Sequence, residues 1–180
     1  MVVPICYWFL RRNKIAPWKV GDLAAFGIPL GIGFGRMGCF YAGCCYGDTC
    51  DLPWAVSFPP GSPAWREHLD LGLIAIGDHS IPVHPAQLYT ALSMWALAAF
   101  MLFWYKRKKT FDGEVFWLFA MLYALIRFFI EMLRDDERGE YFGVSTSQGI
   151  GILLILFSLF MLNRLYKRSL AAAEQSPAAA

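Results

Sequence analysis

Charge is scarce in this sequence of 180 residues: Asp, Glu, Lys and Arg make up 17% of it, against about 25% in an ordinary soluble domain. Histidine is scarcer still, with three. The net charge of +2 is too small to hold a polyanion, which excludes nucleic acid as a partner. Internal repeats are missing, and no polar stretch is long enough to form a separate soluble domain. The bulk of the chain is apolar instead. It is 57% hydrophobic and 17% aromatic, with a mean hydropathy of +0.43, and it therefore reads as an all-α, polytopic membrane protein.

Stretches 83–105, 115–133 and 143–162 each approach the ~20 apolar residues a helix needs to cross the hydrocarbon core. A fourth, 23–47, is long enough but rich in glycine and contains Arg36, which predicts an irregular helix packed against protein rather than lipid. The expected fold is a single transmembrane helix bundle of about four full spans plus a partial helix over 1–10. An outer loop over 48–82 and a small, polar, disordered tail over 171–180 complete it. Residues 2–10 are apolar but short, and Arg11, Arg12 and Lys14 follow with no small-residue cleavage site. A signal peptide explains them poorly; the expectation is the end of a longer helix, with the chain starting partway through a larger membrane fold.

Most of the 16 Lys and Arg residues fall in three groups beside the spans: Arg11, Arg12, Lys14 and Lys19; Lys106, Arg107, Lys108 and Lys109; Arg164, Lys167 and Arg168. The positive-inside rule puts all three at the cytoplasm, and one alternating topology satisfies them together. That topology sends the 48–82 loop outside, with the acidic turn of Asp135, Asp136, Glu137 and Glu140. It also sets Arg36, His84, Arg127, Glu131 and Gln148 at the outer ends of four helices. An ionisable residue within a span costs at least ~2.5 kcal/mol and usually faces protein or water. The expected location is a bacterial inner membrane, with the site toward its outer face.

Arg127 and Glu131 are four residues apart and share a helix face with Tyr123 and Arg134. They read either as a self-neutralising ion pair or as a site for an anionic headgroup, since two guanidinium groups against one carboxylate leave positive charge over. Gly33-Phe34-Gly35-Arg36-Met37-Gly38 uses small residues to set a planar, permanently charged fork among close backbones; tight packing with a snorkelling Arg36 is the plainer reading. His84-Pro85-Ala86-Gln87-Leu88-Tyr89 begins a helix, with proline favoured at an early position. His84 there is a base, a neutral hydrogen-bond partner or a cap. Cys39, Cys44, Cys45 and Cys50 lie on the oxidising side, where disulfides or packing suit them better than metal. Their spacing is no recognised ligand pattern and no histidine is near in sequence, so neither a metal nor another cofactor is expected.

In order, residues 35–47, 51–59 (Asp51-Leu52-Pro53-Trp54 onward), 84–89 and 123–134 resemble the prolipoprotein diacylglyceryl transferase family over nearly the whole chain. The resemblance implies transfer of a diacylglyceryl group from phosphatidylglycerol to the lipobox cysteine of a prolipoprotein signal peptide, at the membrane's outer face. Membrane lipid and lipobox-bearing signal peptides are the implied partners. It gives Arg36 and Gly47, with Gly38, as signature residues, and Arg127 and Glu131 as the arginine and glutamate of a late helix.

Departing glycerol phosphate needs cations, for which Arg36 and Arg127 serve; the thiol needs a base, Glu131 or His84. Gln87, Tyr89, Tyr123 and Arg134 complete the expected substrate contacts. Cys39 and Ala42 stand where the family has asparagines, and Cys44 where it has glutamate. An earlier region of the family, with its first helices and a functional histidine, has no counterpart here. Two alternatives remain: a membrane thiol-disulfide oxidoreductase using the cysteines, and a non-catalytic lipid-binding relative.

Overall fold

The computed structural model describes residues 2–131, 140–141 and 144–174, with side chains over 4–131 and 149–172. Among these, six helices follow one another: α1 (Val2–Arg12), α2 (Pro17–Ala42), α3 (Pro63–Asp70), α4 (Ala86–Arg107), α5 (Glu114–Glu131) and α6 (Thr146–Glu174). Before α6, the two-residue strands β1 (Glu140–Tyr141) and β2 (Val144–Ser145) pair antiparallel. The chain is an all-α membrane protein. Arg134 and the acidic turn at Asp135, Asp136 and Glu137 lie outside the described residues.

Among the described residues, three helices are long and apolar enough to cross a membrane: α2, α4, and α6 over Gly149–Ala172. α5, over the expected span 115–133, has 18 residues, a length of about 27 Å, and carries three charged residues, Glu114, Arg127 and Glu131, so it is not among those three. The irregular helix expected over 23–47 is instead one continuous α-helix that begins earlier, at Pro17, and ends at Ala42. Pro29 lies inside it with its ring fully buried; packing around the ring tolerates the missing N–H, as in many membrane helices. α6 runs on to Glu174, so the first residues of the expected disordered tail are helical.

The chain forms two compact units. One comprises Met1–Pro29, Ala96–Leu125 and Gly151–Ala180. Its centre is aromatic: Trp117 meets Trp18, Phe116 and Phe157 at ring distances of 6.0, 5.2 and 5.2 Å, over buried Ala120 and Leu165. Beside it, fully buried Asp22 accepts the backbone N–H groups of Gly113 (2.8 Å) and Phe116 (3.0 Å) and pairs with Lys109 Nζ at 2.9 Å. Burial alone would lower the Lys109 pKa, but its hydrogen bonds to Asp112 and Asp22 raise it overall. Glu114 accepts Thr110 N, Thr110 Oγ1 and Trp104 Nε1, so two carboxylates fix the turn between α4 and α5.

The other unit comprises Leu30–Trp95 and Ile126–Ile150. Here the 48–82 loop folds into a small cap rather than a bare connection. Val83 bridges both Thr49 and Val56, exchanging 3.1 Å backbone hydrogen bonds with Val56 in both directions. Phe58, Ala64 and Val83 form its core, with Phe40, Tyr46 and Val56 against them. α3 starts at the cap of Ser62, whose Oγ accepts Trp65 N. Further along α3, buried His68 accepts Ile81 N through Nδ1 at 3.1 Å.

Candidate functional site

The residues singled out in the sequence sit at the end of α2, at the start of α4 and at the end of α5. Of the glycines around Arg36, only Gly33 is required for a close approach: a Cβ there would overlap the indole of Trp95, whereas Gly35 and Gly38 have open space. Phe34 reaches the same indole at 5.3 Å. Gly38 is exposed and Arg36 half-buried, and Arg36 has no ion-pair or hydrogen-bond partner among the described residues. Gly35 and Gly38 therefore leave open space on the helix on either side of Arg36 in sequence.

α2 ends in a reversal at Gly43, which has φ +69°. Gly43 N donates to Phe40 O and Cys44 N to Cys39 O, both at 3.1 Å, the paired bonds of a Schellman cap. Gly43 also has Phe58 and Ser62 so close that any Cβ would collide with Ser62 Cβ at 2.8 Å. Its carbonyl accepts Ala64 N at 3.1 Å, docking α3. Gly43 is not among the residues expected from sequence, although a glycine directly after an apolar helical stretch is a signal for such a stop.

Past the reversal, buried Gly47 donates its N–H to His84 O, and His84 N donates to Asp48 O, each at 2.9 Å. This pairing sets the signature's last glycine beside the start of α4. Pro85 precedes α4 and its carbonyl accepts Leu88 N and Tyr89 N, so it occupies the cap itself. Gln87 is fully buried. Its Nε2 donates to Cys44 O at 2.8 Å, while its Oε1 has no partner among the described residues. His84 Nδ1 lies 3.3 Å from Tyr89 Oη, which accepts Trp54 Nε1 at 2.8 Å. Indole can only donate, so the phenol keeps both a second lone pair and a proton for His84. With Nδ1–H given to Tyr89, Nε2 is free to take a proton. Trp54 is a member of this chain of contacts that sequence reasoning did not assign.

At the end of α5, Arg127 Nη2 stands 2.8 Å from Glu131 Oε2, with side chains 26% and 8% exposed. The contact is an ion pair without an aligned hydrogen bond, since Oε2 has no hydrogen-bond partner among the described residues. Tyr123, one turn earlier, packs on Phe119 at 5.9 Å. The structure thus brings together Arg127 with Glu131, Gly47 with His84, and His84 with Tyr89 and Trp54. No contact joins Arg36 to Arg127 or Glu131 among the described residues. Two clefts, of 340 and 380 Å³, lie elsewhere, lined in the first case by Trp104, Phe111 and Leu162 and in the second by Tyr7, Trp18 and Phe116. Neither contains an expected site residue.

The family model described as prolipoprotein diacylglyceryl transferase matches residues 1–164. Among curated relatives, the phosphatidylglycerol-prolipoprotein diacylglyceryl transferase of Clostridium tetani is 36% identical over 159 residues, which is 87% of this chain and 57% of the relative. A second, from Clostridium perfringens, is 32% identical over 84% of this chain and 54% of its own length. A third, from Vibrio parahaemolyticus, is 31% identical over 94% of this chain and 57% of its own. The chain spans little more than half the length of these relatives.

Proposed function

The chain belongs to the prolipoprotein diacylglyceryl transferase family, and from that premise we propose that it moves a diacylglyceryl group from phosphatidylglycerol to the lipobox cysteine of a prolipoprotein signal peptide. The reaction joins the cysteine sulfur to a glyceryl carbon and breaks that carbon's bond to the phosphate oxygen. Glycerol phosphate leaves with the electron pair, and the thiol proton passes to a base. The observation that carries the reading is the pair of half-buried Arg127 and buried Glu131 at the end of α5, a motif at the position the family's late-helix arginine and glutamate occupy.

In this reading Arg127 and Arg36 neutralise the phosphate as its charge grows, the role for which a permanent, planar cation is suited. The unpaired state of Arg36 among the described residues leaves its five donors for a ligand. Gln87 Oε1, buried and without a partner there, is an acceptor for a glycerol hydroxyl. His84, oriented through Tyr89 and Trp54, takes the thiol proton at Nε2, with Glu131 as the second carboxylate-based route. Gly38, with open space beside it, gives the headgroup room, Gly47 ties the loop to the start of α4, Tyr123 lies one turn before Arg127 on α5, and Arg134 is a further cation for the headgroup. The site faces the periplasmic side of a bacterial inner membrane, because the three basic groups then remain cytoplasmic. Neither the thiol-disulfide oxidoreductase nor the non-catalytic reading finds support among the relatives' names.

Complementation tests the proposal. Cells depleted of their own transferase are given this chain within its natural reading frame, and lipoprotein maturation is followed by the shift of unprocessed precursor. Rescue is expected, with Arg127→Ala and Arg36→Ala each slowing maturation by ~100-fold or more at unchanged membrane abundance. Rescue that survives both substitutions would remove the assigned roles; no rescue by the intact frame would remove the activity.

A further inference from the structure

Cys39, Cys44 and Cys45 hold their three Sγ atoms within 4.8 Å of one another, half-buried. Nothing in the transferase reading uses them. They converge because of the backbone: Cys39 lies in the last turn of α2, Gly43 reverses the chain, and Cys45 adopts φ +62°, a left-handed conformation that non-glycine residues seldom take. The turn is held from outside the cluster as well. Gln87 Nε2 grips Cys44 O at 2.8 Å, and Gly47 N is tied to His84 O at 2.9 Å. Cys6 and Cys50 are not part of the group.

We propose that Cys39, Cys44 and Cys45 form an all-sulfur site for a soft d10 cation, Cu(I) or Zn(II), clasped over the end of α2. Three sulfurs at ~2.3 Å from one ion lie about 4 Å apart in a trigonal plane, within the spread the fold already sets. A donor set of thiolates with no carboxylate or amide oxygen among them selects such ions over magnesium or calcium. Binding converts three thiols to thiolates and releases three protons to solvent, with no change of oxidation state. The site lies on the segment between Arg36 and Gly47, and it holds the α2 reversal in place whether or not transfer is taking place nearby.

The full chain, purified in detergent, reduced and stripped of metal, is titrated with Zn(II), and under anaerobic conditions with Cu(I), against a chromophoric chelator. One ion per chain is expected, with three protons released and X-ray absorption showing three sulfur neighbours at ~2.3 Å. These measurements need no variant and no transferase activity, so their failure is separate from failure of the proposed reaction. Cys39→Ser, Cys44→Ser and Cys45→Ser should each weaken binding by more than the ~10–100-fold that loss of an outer-shell partner costs, while Cys6→Ser and Cys50→Ser bind like the parent. The site is overturned by no retained ion, by fewer than three sulfurs, or by unchanged binding in the triple serine variant. A Cys39–Cys44 or Cys44–Cys45 disulfide as the resident form in protein isolated without reductant would also overturn it.

Discussion

Asp22 shows how much a single side chain carries when burial removes water as a substitute partner. Its carboxylate accepts two backbone N–H groups and faces Lys109 Nζ, all at 2.8–3.0 Å and with no exposure of its own. Asp22→Ala would leave two buried N–H groups without an acceptor and Lys109 with Asp112 alone, a loss of about 2–5 kcal/mol, since each buried donor left unsatisfied costs about 1–3 kcal/mol. A large fall in the thermal unfolding midpoint in detergent is expected; a midpoint matching the parent would show that water reaches the site. In the sequence Asp22 is one acid near the start of a span, and nothing local marks it. Its partners are some ninety residues away, and no local pattern brings them together. The Arg127–Glu131 pair, by contrast, is legible, because four residues on a helix fix their shared face.

Among the elements, α2 and α4 meet where glycine removes a side chain. Gly33 faces the Trp95 indole so closely that no Cβ fits, and Phe34 closes on the same ring. Gly33→Val is therefore expected to push the two helices apart and destabilise by about 1–3 kcal/mol or more, the usual cost of overpacking, whereas Gly35→Ala and Gly38→Ala, with open space, are expected to fold normally. Denaturation of the three variants in parallel checks this; equal stability for all would mean the contact yields without cost. The glycine-rich pattern points to close packing, but it cannot say which glycine packs and which leaves space beside Arg36. Likewise the outer loop has no periodicity to announce α3, yet Ser62 before Pro63 is a cap signature present in the sequence.

Over the whole molecule, the basic groups predict an orientation. With Lys108 cytoplasmic, the cap that carries Ile76, 86% exposed, is expected to lie outside. In a cysteine-free background, Ile76→Cys is expected to react with a membrane-impermeant maleimide in intact spheroplasts, and Lys108→Cys only after the membrane is opened. The reverse pattern would invert the topology and put the candidate site on the cytoplasmic side. Large apolar side chains such as Phe129, Leu153 and Phe160 remain exposed on α5 and α6, as expected of helices whose solvent includes lipid tails.

Fold class and family were settled by the sequence alone, because apolar length, flanking charge and ordered motifs act locally and survive without knowledge of contacts. Three-dimensional packing decided the rest. It made α2 a single helix, turned the outer loop into a cap centred on Val83, tied Tyr89 to Trp54, and gathered three cysteines whose spacing matched no ligand pattern. Each of these depends on a chain reversal or on partners far apart in sequence, and a linear pattern does not encode the direction in which a left-handed turn at Gly43 and Cys45 sends the chain beyond it.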